Sequence, residues 1–426
     1  VKVTIERLVH LGMGLGRVDG RVWLVPLTAP GDVVEATPER ERPGLVEARL
    51  VSVLEPGPDR VPPPCPVFGR CGGCHLQHIA PLRQPALKAA LLQEVLRRIA
   101  KIDSPTPEIV SGSPWSYRCR IELHGGPAGA GARLGFFARH SHDLVEPGAC
   151  PIAMTPVSAA IPRLRDALAR LRPRGPVTLE PVAGADGGIV VVARGDLGDP
   201  AAAARLLATT PGVAGCLASS KGHGGAHWAA AGATQIAFPT DDGAGGRTAL
   251  TLDPRGFTQA NLALNPALAA TVRDLAGIVP GTRVLELFAG AGNLTVPMAL
   301  AGARVTAVEL NREALERAGE EVKARGLEVR LRAARVEDVA GAPDLVTPPP
   351  DVVVADPPRT GMGAAAARAL ASLPVARVVL CACDPATLAR DLGPFLATGF
   401  RLDRLVLVDM FPQTFHLETV ARLVRP

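Results

Sequence analysis

The chain is short of charge and of aromatic residues: 20% charged and 3% aromatic over 426 residues, with a single tyrosine. Lysine is scarce beside arginine, and no apolar run is long enough to cross a bilayer. The opening segment VKVTIERLVH lacks the apolar stretch of a secretory leader. No membrane association is expected, and a cytoplasmic protein with reduced thiols is. A basic arm is also lacking. Residues 1–60 hold eight Lys or Arg against nine Asp or Glu, and the whole chain carries only +5. That balance permits nucleic-acid binding without demanding it. Apolar residues are plentiful: 47% hydrophobic content describes a folded chain, and the length calls for two or three domains.

Residues 1–58 read as short strands (VKVTIERLV, RVWLVPL, DVVEATPE, LVEARLVSVLE) with GMGLG and VDG as turns. The pattern fits a five-stranded OB-like β-barrel. A proline-rich joint, EPGPDRVPPPCP (55–66), ends it, and a cysteine-dense loop (65–78) follows. Helical spacing predicts a helix over 81–102, placed to pack on the catalytic domain. Residues 59–255 form a β-rich α+β central domain, with a helix over 156–172 and strand segments at 187–195 and 217–222. Over 256–426 strands and helices alternate: RVLELF, RVTAVEL, EVRLRAARV, DVVVADPP and ARVVLCACD are strands of a doubly wound α/β sheet. Ligands of such sheets bind beyond the carboxyl ends of the strands.

The first of these strands runs into a glycine loop, LELFAGAGN (285–293), where Gly290 and Gly292 let the backbone turn and approach a ligand. Glu309 ends the next strand, nineteen residues after Gly290, where an acid accepts ribose hydroxyls. Thr295 stands where a dinucleotide fold wants its third glycine, which disfavours NAD and FAD and leaves S-adenosylmethionine, which has no pyrophosphate. Asp356 opens DPPR (356–359) at the end of another strand; such turns occur in nitrogen and carbon methylation alike.

Cys383, in CACDPATLARDL, stands between a strand end and a helix N-terminus whose dipole favours a thiolate. Glu418, in DMFPQTFHLE, is a carboxylate placed to take a proton, with His416 as the competing candidate. A thiol and a base beside a methyl-donor loop point to a carbon that becomes nucleophilic only after thiol addition. The 5-position of uracil or cytosine meets that description. Cys381 lies deeper on the same strand and reads as packing. Upstream, Cys65, Cys71 and Cys74, with the distant Cys150, make four candidate thiolate ligands. They suit tetrahedral zinc or an iron–sulfur cluster, and spacing does not choose between the two.

FTQAN (257–261), LELFAGAGN, AVELN, DPPRTG, CDPATLARDL and MFPQTFHLE together resemble the RNA uracil-5-methyltransferases that form 5-methyluridine. The resemblance spans nearly the whole chain. It implies a class I methyltransferase sheet with S-adenosylmethionine held by Gln259, Phe288, Gly290, Gly292, Asn293, Glu309 and Asp356, Cys383 as nucleophile and Glu418 as base. The N-terminal barrel resembles a TRAM domain. CPVFGRCGGCHLQH resembles the [4Fe–4S] motif of the ribosomal-RNA branch, which implies Cys65, Cys71, Cys74 and Cys150 as ligands. The resemblance implies structured, ribosomal RNA as the substrate, and a monomer is expected; a transfer-RNA enzyme and a non-catalytic RNA-binding protein are the alternatives. Two departures stand out. Asp384 replaces the family's Asn beside the nucleophile, which is expected to raise its pKa, and Cys119 replaces Asn in WSYRCR.

Overall fold

The computed structural model describes residues 1–128, 131–220 and 227–425. The chain divides into two units: Val1–Leu91 with Ser113–Ile236 and Phe411–Phe415, and Leu92–Gly112 with Ala237–Met410 and His416–Pro426.

The first unit opens with β1 (Lys2–Val9), β2 (Met13–Val18), β3 (Arg21–Val25), β4 (Val33–Arg42) and β5 (Leu45–Glu55), closed as a barrel in the order β1-β2-β3-β5-β4. Alternating residues Val3, Ile5, Trp23, Val25, Val34, Ala36, Val46 and Ala48 fill it. Of the glycines of GMGLG, Gly12 does lie in a turn, with φ of 68°, but Gly14 and Gly16 lie within β2. A Cβ on Gly14 would stand 2.0 Å from Thr28 Oγ1, and one on Gly16 2.3 Å from the carbonyl oxygen of Thr4. Close strand approach, rather than chain reversal, requires them. Asp32 then ties the proline-rich joint to the barrel. Its buried carboxylate accepts the Ala29 and Gly57 N–H groups and pairs with Arg60 at 2.7 Å. Burial would raise this carboxyl, but Arg60 and the two N–H groups outweigh it and hold the group below its usual range.

After the cysteine loop comes α1 (Gln84–Val95), and the unit boundary falls within it, after Leu91. Strand β6 (Glu108–Val110) belongs to the second unit. The first unit resumes with β7 (Leu123–Ala128), β8 (Gly131–Phe137), β9 (Leu144–Val145), α2 (Thr155–Leu171), β10 (Val177–Ala183), β11 (Ile189–Gly195), α3 (Pro200–Ala208), β12 (Val213–Ser219) and β13 (Ala229–Gly232). They form a seven-stranded sheet, β13-β12-β11-β10-β7-β8-β9. Of the strand expected over 217–222, Leu217–Ser219 end β12, while Lys221 and Gly222 lie outside the described residues.

Within the same unit the segment Phe411–Phe415 is held by hydrogen bonds. Gln84 and Gln413, both fully buried, exchange bonds of 2.9 and 2.8 Å, and the Gln413 carbonyl accepts from the N–H groups of His75 and Leu76. Lys88 donates to the Phe411 carbonyl and the Tyr117 hydroxyl to that of Pro412.

The second unit continues with β14 (Ile236–Asp241), β15 (Arg247–Leu252), α4 (Asn265–Ala276), β16 (Arg283–Leu287), α5 (Thr295–Leu300), β17 (Arg304–Glu309), α6 (Arg312–Ala324) and β18 (Val329–Ala333). A one-turn helix, α7 (Pro343–Val346), precedes β19 (Val352–Ala355), α8 (Ala364–Ala371), β20 (Arg377–Ala382), α9 (Pro385–Ala397), β21 (Arg401–Val408) and β22 (Glu418–Val424). Its sheet runs β18-β17-β16-β19-β20-β22-β21-β6, parallel throughout except where β22 enters antiparallel between β20 and β21. Continuous apolar runs such as Val352–Ala355, buried on both faces, account for the parallel core. Leu92 and Leu96 join its helix-covered cluster with Leu388, Leu392 and Phe395. Among the described residues no helix is long and apolar enough to cross a membrane.

Candidate active site and cysteine loop

The carboxyl ends of β16, β17, β19 and β20 gather the acidic and thiol side chains of the second unit. Strand register does most of this. Ala382 of β20 lies opposite Thr419 of β22, and continuing that antiparallel register by one residue sets Cys383 opposite Glu418. Directly opposed residues stand roughly 5 Å apart at Cβ. Ala355 pairs with both Leu287 and Leu380, so Asp356 follows at the same sheet end, its N–H donating to the Leu287 carbonyl at 3.3 Å.

Cys383 is half-buried, and its thiol is pushed up to about 11 by burial and then by Glu418, with Arg359 acting in the opposite direction. Glu418 is 3% exposed, and burial followed by Asp356 holds its carboxyl well above the usual carboxylate range. Burial brings Asp356 to about 6. Buried Cys381 is raised by burial and by the same carboxylates. Asp384 spends its charge elsewhere than the sequence suggested. Its Oδ1 caps α9, accepting the N–H groups of Ala386 at 2.9 Å and Thr387 at 2.8 Å. Burial and Glu418, not the cap, head the causes that raise the thiol.

At the glycine loop Phe288 and Gly290 adopt φ of 59° and 55°, and a Cβ on Gly290 would meet nothing within 4 Å. The backbone there is bare, as close approach by a ligand requires. Both oxygens of Glu309 already accept backbone N–H groups, Oε2 from Gly290 at 2.9 Å and Oε1 from Asn311 at 2.7 Å. Each oxygen keeps a lone pair for a hydroxyl. Asn293 and Asn265 form a reciprocal amide pair of 2.7 and 3.0 Å, and the Asn293 carbonyl accepts from Thr240. Asn293 therefore anchors the loop to α4. Gln259 is 5% exposed, whereas Phe257 beside it is 80% exposed.

Two participants escaped sequence reading. Asn265 carries no local signal. Glu286 does: an acid inside the apolar run VLEL, 1% exposed, with Oε2 lacking a hydrogen-bond partner among the described residues. Burial, then Asp356 and Glu309, push it up to about 8 against the pull of Thr295. Glu286, Glu309 and Asp356 thus form an acidic cradle that favours a cationic ligand over a pyrophosphate. A concavity of about 600 Å³, lined by Gly277, Thr282, Asp351 and Arg377, lies instead at the amino ends of the strands, opposite to where such sheets bind ligands.

In the first unit Cys65, Cys71, Cys74 and Cys150 are half-buried, and a Cys65 thiolate opposes ionisation of the other three. Burial raises Cys71 and Cys150, and takes Cys74 to about 12. Among the described residues no three His, Cys, Asp or Glu groups stand at metal-binding separation. The surroundings nevertheless suit thiolates. Gly73 N–H donates to Cys71 Sγ at 3.4 Å, and the N–H groups of Ala153 and Ile152 favour the Cys150 thiolate. Arg139 stabilises ionised Cys71, and its Nη1 is buried without a hydrogen-bond partner among the described residues.

A family described as tRNA (uracil(54)-C(5))-methyltransferase, TRAM domain, matches residues 1–58. One described as tRNA (Uracil-5-)-methyltransferase matches residues 344–425, and a general methyltransferase domain matches residues 284–372. The 23S rRNA (uracil(1939)-C(5))-methyltransferase RlmD of Halomonas elongata is 35% identical over 100% of this chain and 89% of its own. The protein of the same name from Aromatoleum aromaticum is 33% identical over 99% of each. The crystal structure of Pyrococcus abyssi tRNA (uracil-54, C5)-methyltransferase in complex with S-adenosyl-L-homocysteine superposes with a TM-score of 0.76 at 23% identity, covering 100% of both chains. The chain belongs to the RNA uracil-5-methyltransferase family with an N-terminal TRAM domain, and is an S-adenosylmethionine-dependent enzyme forming 5-methyluridine in RNA.

Proposed function

We propose that the enzyme methylates C5 of a uridine in large-subunit ribosomal RNA, with Cys383 as nucleophile and Glu418 as base. The observation that carries the mechanism is the Ala382–Thr419 pairing of β20 with β22, whose continuation by one residue faces Cys383 with Glu418, near enough to raise the thiol. The full-length relatives named for 23S rRNA support the ribosomal substrate. Such an enzyme works in the cytoplasm, where that RNA is made. Its parts are a barrel (1–58), a central domain (59–255) and a catalytic domain (256–426), acting as a monomer.

Cys383 Sγ bonds to uracil C6, and the ring electrons move to C5 and the C4 carbonyl. C5 then takes the methyl group from the sulfonium of S-adenosylmethionine, whose S–CH3 bond breaks with its electrons kept on sulfur, so that S-adenosylhomocysteine leaves. Glu418 removes the C5 proton, the C5–C6 double bond re-forms, and the sulfur leaves as thiolate. Gln259, Phe288, Gly290, Gly292, Asn293, Glu309 and Asp356 surround the donor. The acidic cradle suits its positive charge. A cation beside Asp356 favours the ionised forms of that carboxyl and of Cys383.

Cys65, Cys71, Cys74 and Cys150 would hold a [4Fe–4S] cluster. The N–H groups on sulfur and the Arg139 guanidinium beside Cys71 support that fit. Bound there, the cluster would cross-link the loop, and no step of methyl transfer would run through it.

Glu418→Gln incubated with 23S rRNA and S-adenosylmethionine is expected to accumulate a covalent protein–RNA adduct, resolved on a denaturing gel, because proton removal contributes roughly 10²–10⁴-fold. Cys383→Ala should form neither adduct nor 5-methyluridine. Normal methylation by Cys383→Ala would sink the mechanism. A transfer-RNA substrate is the second reading, favoured by the descriptions of the matched families. Methylation of transfer RNA and not of 23S rRNA would establish it.

A further inference from the structure

A concavity of about 360 Å³ in the first unit lies between the cysteine loop and the end of β8. Its walls are pinned. Gly72 N–H donates to the Phe137 carbonyl at 3.0 Å, Arg139 N–H to the Arg70 carbonyl at 2.9 Å, and Cys71 bridges Ala138. His124 and Phe137 line it as a stacked pair, 3.8 Å between centroids and 8° between planes. His75, Arg139 and His140 also line it, and Arg139 and His140 are near enough to His75 to oppose its protonation. Glu122 is the acid among the lining residues, and His124 Nε2 already engages it at 3.1 Å.

We infer that this concavity is an RNA subsite that takes one unstacked nucleotide, its base extending the His124–Phe137 stack and its phosphate facing Arg139 and His140. The inference rests on the reading of the chain as an RNA enzyme. Two independent features select the ligand. A flat aromatic platform suits a nucleobase, and single-stranded RNA is read by stacking unpaired bases on rings including histidine. The Arg139 guanidinium on the same wall suits the phosphate of that nucleotide. A purely apolar ligand would leave the Arg139 edge unused, and a free anion would leave the platform unused. A folded preference for single strands follows, because a paired base cannot present its face to the stack.

The test measures binding of a fluorescently labelled short oligouridylate to the full chain by anisotropy. His124→Ala should weaken binding about tenfold, within the range one stacked base supplies. His124→Phe, which keeps a stacking ring, should stay within about twofold of the parent. Arg139→Gln should lower the salt slope by about 0.7, the value for one phosphate on a single strand. In parallel, a 4-thiouridine-substituted oligouridylate should photocross-link to the peptide 122–142 of the unmodified protein. Unchanged affinity in His124→Ala, or cross-links confined to other peptides, overturns the subsite. So does capture of a protein partner by this surface with no RNA bound there. If the parent protein forms 5-methyluridine while these results are negative, the subsite alone falls. If it binds RNA at 122–142 yet forms no 5-methyluridine, the enzymatic reading falls.

Discussion

The thiol of Cys383 and the thiols of the cysteine loop are all half-buried, yet their neighbours have opposite sign. Cys383 faces Glu418 and Asp356, with Arg359 the counterweight. Cys71 faces Arg139 and a backbone N–H, and Cys150 two further N–H groups. Burial raises all three. The difference lies in what relieves that cost. Around Cys383 relief would come from a cation beside the acids, which in the proposed mechanism is the methyl donor. In the loop part of the relief is built in, and the mutual repulsion of the thiolates is what the proposed metal group would remove. One residue type is thus tuned in two ways: Cys383 by acids distant in sequence, Cys71 and Cys150 largely by backbone N–H groups two or three residues on.

The comparison can be broken in four ways, the largest effect first. Cys74→Ser should abolish iron binding and lower thermal stability markedly, read as loss of brown colour and of iron by elemental analysis in an anaerobic preparation. A colourless parent protein carrying stoichiometric zinc would refute the iron assignment.

Glu286→Gln tests the acidic cradle. A carboxyl at about 8 in the folded chain and near 4.5 when unfolded binds more protons folded, so it costs stability as pH rises from about 4.5 to 8. The substitution should therefore raise Tm more at pH 9 than at pH 5, by several degrees in a melting curve. Equal gains at both pH values would remove Glu286 from the cradle.

Site-resolved iodoacetamide labelling should titrate Cys383 with a midpoint of about 11 in the ligand-free protein. Glu418→Gln removes a charge that raises the thiol, so the midpoint should fall. A midpoint that does not move would place the raising charge elsewhere.

The smallest effect belongs to Asp384. Asp384→Asn keeps the cap acceptor and should leave the melting point and the Cys383 titration unchanged, whereas Asp384→Ala should cost about 1 kcal/mol. A lowered thiol midpoint in Asp384→Asn would restore the direct electrostatic role.

Much of this was legible in the chain. The apolar runs ending at Leu287, Glu309, Ala355 and Ala382 announce their strands, because parallel strands buried on both faces need no polar alternation. The thiol before Asp-Pro stands out because it joins a strand end to a helix N-terminus, and the acid after FPQTFHL because a carboxylate is a poor core residue. Gly14 and Gly16 were misread as turns, since a glycine demanded by a neighbouring strand looks like one demanded by its own φ. Asn265 was invisible because its meaning lies in Asn293, 28 residues away. Gln84 and Gln413, 329 residues apart, are the extreme case.

The sequence by itself determined the elements, the glycine loop, the thiol, the carboxylate proposed as base and the four-cysteine pattern, because each rests on local periodicity or on residue chemistry. Only tertiary structure decided their tuning. Antiparallel entry of β22 between β20 and β21 brings Glu418 to Cys383 across 35 residues of chain, and burial then sets their proton affinities. Asp384 shows the reason most plainly: adjacency in sequence suggested electrostatic influence, but a helix N-terminus in the fold claims its charge.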